Sequence, residues 1–232
     1  EVGSWLGFSA LTWCHAASEF SGPGSSVLCV DSCAPYLAEP DTRGGGTYDK
    51  MDRMSRLGLS YDLFLHNMSF RAQGAQWSHM RGRSEEILPY LRPGQFDIIY
   101  IDGSHYYEDV RRDIDDAVPL LRDGGVLCGD DLNVQLHELD EQLVRAHLGI
   151  DCYMDPSGKF FFHPGVTMAV AERLGRVSEW AGMWATRRSG STWMPVVPSR
   201  VPASIPAHFN AEQRRDAERL LGVAFVNGPA SA

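Results

Sequence analysis

Two groups of polar residues, each following an apolar run, are the first candidates for chemistry in this sequence. Phe96-Asp97-Ile98-Ile99-Tyr100-Ile101 ends in Asp102-Gly103-Ser104-His105, and Val126-Leu127-Cys128-Gly129 ends in Asp130-Asp131. If both runs are strands of an open α/β sheet, their carboxyl ends share the edge where ligands bind. Three carboxylates converging there repel one another unless a cation lies between them. Oxygen donors of this kind suit Mg²⁺ or a similar hard divalent ion, which keeps waters and substrate oxygens as its other ligands. The plainer alternative is that Asp130-Asp131 only caps the next helix. His105 stands three residues after Asp102. Its imidazole can take a proton near neutral pH or merely orient a carboxylate.

A third group opens the chain, Glu1-Val2-Gly3-Ser4-Trp5-Leu6-Gly7-Phe8-Ser9. Glycines after a strand let the backbone turn tightly against a ligand, while the next helix presents free N–H groups. Asp31 ends the following apolar run, where an acid can accept from both ribose hydroxyls of an adenosine moiety. The turn and the acid together predict a nucleoside site, without saying which nucleoside.

These residues need a scaffold, and the chain alternates strand-like with helical runs, the pattern of an α/β fold with a parallel sheet. Glu1-Val2 reads as the stump of a first strand. A helix over Leu6 to Ser18 is followed by strand Ser26 to Val30, a glycine-rich loop at 40 to 49 and helical material from Lys50 to Met68. Strand Gln76 to Met80 leads to a short helix capped by Ser84, then strand Phe96 to Ile101 and helix Tyr106 to Leu121. Asp123-Gly124-Gly125 turns the chain into strand Val126 to Gly129. Beyond it lie a helix-like stretch from Leu136 to Leu148, a hairpin around Asp155 to Gly158, and a helix with Pro164 at its first position. Trp180 to Arg188 supplies the last strands. Prolines between Pro195 and Pro206 mark an extended tail, closed by a helix over Ala211 to Leu221.

A chain of 232 residues suits one α/β domain with an appendage, 1–188 and 189–232, with 132–163 as a lid-like insertion. Its net charge of -9 and scattered arginine pairs disfavour nucleic acid. A small-molecule partner is favoured instead. The five cysteines form no CxxC pair and read as reduced, which implies a cytoplasmic setting. No apolar stretch approaches the roughly 20 residues of a membrane span.

The motifs E-x-G-S-x-x-G-x-S, F-D-x-I-x-I-D-G-S-H and P-L-L-R-x-G-G-V-x-x-G-D-D, with the strand-two acid and His163-Pro164-Gly165-Val166, resemble the class I S-adenosylmethionine (SAM)-dependent methyltransferases. The resemblance is to the group of metal-dependent sugar O-methyltransferases of antibiotic biosynthesis and cephalosporin-hydroxylase-like proteins, and it covers about residues 1 to 188. It implies a Rossmann-like α/β fold with a mostly parallel seven-stranded sheet and helices on both faces. By position it places Glu1, Gly3, Ser4, Gly7 and Ser9 at the methionine and sugar end of SAM, Asp31 and Ser32 at the ribose and Ser84 near adenine. Asp102 lies beside the cofactor. Arg83 stands where related sequences often carry an acid. The same resemblance makes Asp102, Asp130 and Asp131 ligands of Mg²⁺ and His105 the general base; His137, in the segment after Asp131 that can close over a substrate, is a reserve base by its place in the chain.

The expectation is therefore metal-assisted O-methylation of a small molecule, a sugar or other secondary metabolite. An NAD-dependent oxidoreductase would use the same turn and acid, but leaves the strand-end carboxylates unexplained and lacks a complete GxGxxG. Metal-independent N-methylation and a non-catalytic partner built on the same fold are further alternatives. The tail and last helix can reach a neighbouring subunit, which leaves a homo-oligomer open.

Overall fold

The computed structural model describes residues 1–37, 47–72, 74–154, 158, 160–197 and 205–221. Helix α1 (Phe8–Ala16) runs on into a π-turn over Ala17–Ser21 and is followed by strand β1 (Ser26–Asp31). Then come α2 (Thr47–Arg56), α3 (Leu59–Arg71), β2 (Gln76–Arg81), α4 (Ser84–Ile87), β3 (Phe96–Ile101) and α5 (Tyr107–Leu120). The second half holds β4 (Leu121–Leu132), α6 (Glu141–Ala146), the short strands β5 (Tyr153–Met154) and β6 (Phe161–Phe162), α7 (Pro164–Leu174), β7 (Ser178–Trp180), β8 (Gly182–Ser189), β9 (Thr192–Pro195) and α8 (Ala211–Leu221). Most of the loop expected at 40–49 and the tip of the hairpin expected at 155–158 fall outside the described residues.

β1 and β2 pair in parallel, as do β3 and β4, and the two halves are joined through one residue. Val2 bridges Val30 on one side and Ile101 on the other. Its N–H donates to the Tyr100 carbonyl at 2.8 Å, and its carbonyl accepts from Asp102 N–H at 2.8 Å. The order across the molecule is thus β2-β1-Val2-β3-β4-β8-β7, with β9 also on β8.

The mostly parallel seven-stranded sheet expected from the resemblance is corrected here to a mixed one. β4–β8, β7–β8 and β8–β9 are all antiparallel. The connections account for two of these pairs: β7, β8 and β9 follow one another through very short turns, and a parallel crossover requires a dozen or more residues. β9 also carries the sheet past residue 188.

Helices cover both faces, as expected. Side chains alternate along a strand, so Ile99 and Ile101 pack with Val110, Ile114, Val166 and Val170 of α5 and α7, while the intervening Tyr100 packs with Cys128 and Trp13 of α1. Cys29 of β1 joins Leu11 of α1 and Phe64 and Met68 of α3 on that same opposite face. The described tail returns to α1, where Phe209 stacks on Phe8 at 5.3 Å between centroids.

Candidate active site

The first turn and the end of β1 build one end of the site. Gly3 has φ +83, and a Cβ there would lie 2.0 Å from the Asp102 carbonyl oxygen, so the turn runs backbone against backbone with the end of β3. Asp31 holds it: Oδ2 accepts from Ser4 N–H at 2.7 Å and Trp5 N–H at 2.8 Å, and Oδ1 accepts from Cys33 N–H at 2.6 Å. The acid expected to hold a ribose therefore also organises the loop above it. Gly7, φ +89, serves packing, since a Cβ there would meet Met68 and Phe64 of α3 at 3.2 and 3.3 Å. The Glu1 carboxyl is buried, which pushes its pKa up, with the Ser9 and Ser4 hydroxyls acting the other way.

A cavity of about 480 Å³ runs from this turn across the strand ends. Gly3, Ser4, Ser9, Asp31, Ser32, Ser84 and Asp102 line it, as do His105 and Asp131; Glu1, Gly7 and Asp130 do not. At its far end Arg83, which lines the cavity with Glu85, pairs with that residue at 2.9 Å. Asp113 of α5 lies there almost fully buried, and burial lifts its carboxyl to about 7 against a weaker opposing hydrogen bond from Ser84.

That shift has a testable sign. In the unfolded chain Asp113 titrates near 4, so its charged form penalises folding fully above pH 7 and not at all below pH 4. Asp113→Asn should raise the unfolding free energy from urea titration at pH 8 by a few kcal/mol, at about 1.4 kcal/mol per pKa unit, and leave it unmoved at pH 3.5. An equal effect at both pH values would refute the buried charge.

The reacting rim lies between β3 and β4. Asp130 and Asp131 sit in a bulge of β4, where the register against β8 shifts between Gly129 and Leu132, and Asp131 adopts φ 65. Bulges re-aim side chains, and this one sends the two acids different ways. Asp130 Oδ2 and Asp102 Oδ2 both face the Tyr100 hydroxyl, at 3.4 and 3.1 Å. Asp131 instead faces two imidazoles: Oδ2 is 2.9 Å from His105 Nε2, and Oδ1 is 3.5 Å from His163 Nε2. Behind them is Asp151, with a fully buried side chain, 3.0 Å from His105 Nδ1; its backbone carbonyl lies 2.8 Å from His163 Nδ1.

Charge follows this geometry. Burial, with Asp131 and Asp130 adding to it, pushes Asp102 up to about 8, and burial likewise raises Asp130. For His105, burial alone would favour the neutral ring, but the hydrogen bonds and charges of Asp131 and Asp151 outweigh it and lift the imidazole to about 10. Burial opposes ionisation of Asp131 and Asp151 too, yet His105 holds both below the usual range. Burial and the neighbouring His105 charge keep His163 low and neutral.

Asp151, His163 and Tyr100 were not singled out as site residues in the sequence. Only His163 carried a signal, in its HPGV motif, and there it announced a helix start. Gly165 explains that motif: a Cβ there would lie 2.2 Å from the His105 carbonyl, so α7 begins pressed against the His105 loop. His137 lies in a short helical turn over Leu136–Glu138 and lines a separate cavity of about 400 Å³. Among the described residues no helix is long and apolar enough to cross a membrane.

Residues 1–132 match the family described as "Methyltransferase domain". Among solved structures, the O-methyltransferase NovP is 15% identical over 81% of this chain and 70% of its own, with a TM-score of 0.50. TomG, an O-methyltransferase from Streptomyces achromogenes solved with SAM, is 17% identical over 82% and 71%, with a TM-score of 0.41. No curated protein matches. With the family matched across the glycine turn, Asp31, the β3 end and the whole of β4, the chain belongs to the class I SAM-dependent methyltransferases.

Proposed function

We propose that this enzyme transfers the SAM methyl group to a hydroxyl of a small molecule, a sugar or another secondary metabolite of the kind made in antibiotic biosynthesis. One observation carries the reading: a single cavity joins the Gly3 turn and Asp31, which suit the adenosyl group, to Asp102, His105 and Asp131, which suit an acceptor oxygen. The turn, Asp31, Ser32 and Ser84 hold the donor. Methyl transfer is an in-line displacement by the acceptor oxygen at the sulfonium methyl, so alignment supplies much of the acceleration. An acceptor hydroxyl entering the rim meets carboxylate oxygens of Asp102 that can accept its hydrogen. The name of NovP, an O-methyltransferase sharing the fold, accords with oxygen as the acceptor.

The resemblance implies a magnesium ion held by Asp102, Asp130 and Asp131. Asp102 and Asp130 close on the Tyr100 hydroxyl, while Asp131 turns to the histidines, so no step is drawn through an ion held by all three. His105, expected as the base, has a carboxylate oxygen within 3.0 Å of each ring nitrogen, Asp131 at Nε2 and Asp151 at Nδ1.

Calorimetry tests the donor: SAM should bind one to one, and NAD should not bind. Turnover with labelled SAM against hydroxylated sugars and phenols, followed by mass spectrometry, tests the acceptor. A methyl found on nitrogen would replace the hydroxyl reading, and NAD binding in place of SAM would remove it.

A further inference from the structure

We infer that His105, His163 and Asp131 form a binding site for a divalent transition metal of the Zn²⁺ or Fe²⁺ kind, with Asp151 orienting both imidazoles. Among the described residues, this is the set of three donors whose ligating atoms all lie within 4.8 Å of one another; Asp102 and Asp130 fall outside it. Two donors each about 2.1 Å from an ion stand about 3.0 to 3.4 Å apart at octahedral or tetrahedral angles. Asp131 Oδ2 lies 2.9 Å from His105 Nε2 and Asp131 Oδ1 lies 3.5 Å from His163 Nε2, so each ring meets the carboxylate near that spacing through a different oxygen.

The outer partners supply an independent argument. A metal-bound histidine almost always gives its other ring N–H to a carboxylate or a backbone carbonyl, which fixes its tautomer and aim. One residue brings both kinds of group to the rings, its carbonyl in a hydrogen bond and its carboxylate at ion-pair distance. His105 Nδ1 is 3.0 Å from the Asp151 carboxylate, whose side chain is 0% exposed, and His163 Nδ1 is 2.8 Å from the Asp151 carbonyl. Each ring thus turns Nε2 toward Asp131, and the rings pack edge to face at 4.5 Å between centroids. A surface ion pair needs no such backing. Two imidazoles and one carboxylate favour transition metals, whereas Mg²⁺ prefers oxygen alone. His105 and Asp131 line the main cavity, so the set is open toward the acceptor. A metal bound there would lower the pKa of a coordinated hydroxyl.

The inference builds on the methyl-transfer reading by naming the cation and its donors, but its test uses no turnover. Full-length protein is titrated calorimetrically with Zn²⁺ and with Mg²⁺, and its one-to-one Cu²⁺ adduct is examined by electron paramagnetic resonance. The expected results are one Zn²⁺ per chain, Mg²⁺ bound far more weakly, and Cu²⁺ coupling from two imidazole nitrogens. His163→Gln should leave one nitrogen and weaken Zn²⁺ at least about 100-fold; Asp151→Asn should keep both nitrogens and weaken it about 10- to 100-fold. Asp102→Asn should keep Zn²⁺ affinity within about threefold. SAM calorimetry on each variant checks the fold. Oxygen-only coordination of Cu²⁺ by the wild type would overturn the inference, as would Zn²⁺ binding lost in Asp102→Asn and kept in His163→Gln. Wild-type protein that binds Zn²⁺ as described but not SAM would sink the methyl-transfer reading and leave the metal site standing.

Discussion

Replacing Asp31 with alanine is expected to lower SAM affinity by about 100-fold or more, equivalent to roughly 2.7 kcal/mol, and to destabilise the protein by about 3 to 5 kcal/mol. The carboxylate accepts three backbone N–H groups at 2.6 to 2.8 Å, two from the first turn and one from its own loop. Hydrogen bonds to a charged group contribute about 1.5 to 3 kcal/mol each. Partial solvent access lets water replace some of that. Asp31→Asn separates the roles, because its single acceptor oxygen cannot serve both the Ser4–Trp5 pair and Cys33. It should fall between wild type and alanine in both SAM calorimetry and urea unfolding. Should Asp31→Ala unfold with the wild-type midpoint, the carboxylate is not what shapes the loop.

Gly3→Ala has the second large effect. The residue adopts φ +83, where a side chain costs about 1 to 2 kcal/mol, and the added Cβ would stand 2.0 Å from a backbone oxygen that belongs to the sheet. No rotamer relieves that contact, because it is backbone against Cβ. The turn must shift, carrying Ser4 and Trp5 away from Asp31. The expected loss exceeds about 3 kcal/mol, which for a domain of this size lowers the melting temperature by on the order of 10 °C. SAM binding, measured well below the melting point, should become undetectable. A variant that melts like wild type and binds SAM within threefold would contradict the close approach of the first turn to Asp102.

The two assignments differ in how readable they were. Asp31 follows a short buried strand and Gly3 follows a strand stump, so periodicity and turn chemistry were enough to pair them. The same reasoning found β3 to the residue, because Phe96 to Ile101 is a mostly apolar run that ends at a charge. It missed the length of β4, which begins at Leu121 and passes through Gly124-Gly125, a stretch that local propensity marks as a turn. It also missed the antiparallel edge, which depends on how β7, β8 and β9 connect.

At the site, sequence order grouped Asp102, Asp130 and Asp131 as one set. A single bulged residue with positive φ divides them, and pattern reading has no access to a backbone angle. Asp151 was invisible for a different reason. It lies 46 positions from His105 and 12 before His163 in a stretch with no periodicity, so only the fold brings it to the two rings.

Gly165 has a consequence for how this molecule can diversify. Because α7 begins in backbone contact with the His105 loop, the floor under the imidazoles has no slack, and even one methyl group would lift helix and loop together. The opposite wall, where Tyr36 stands 38% exposed across from His105, is not held by that contact. Room to change the cavity's shape lies on that side, while the foundation under the imidazoles stays fixed.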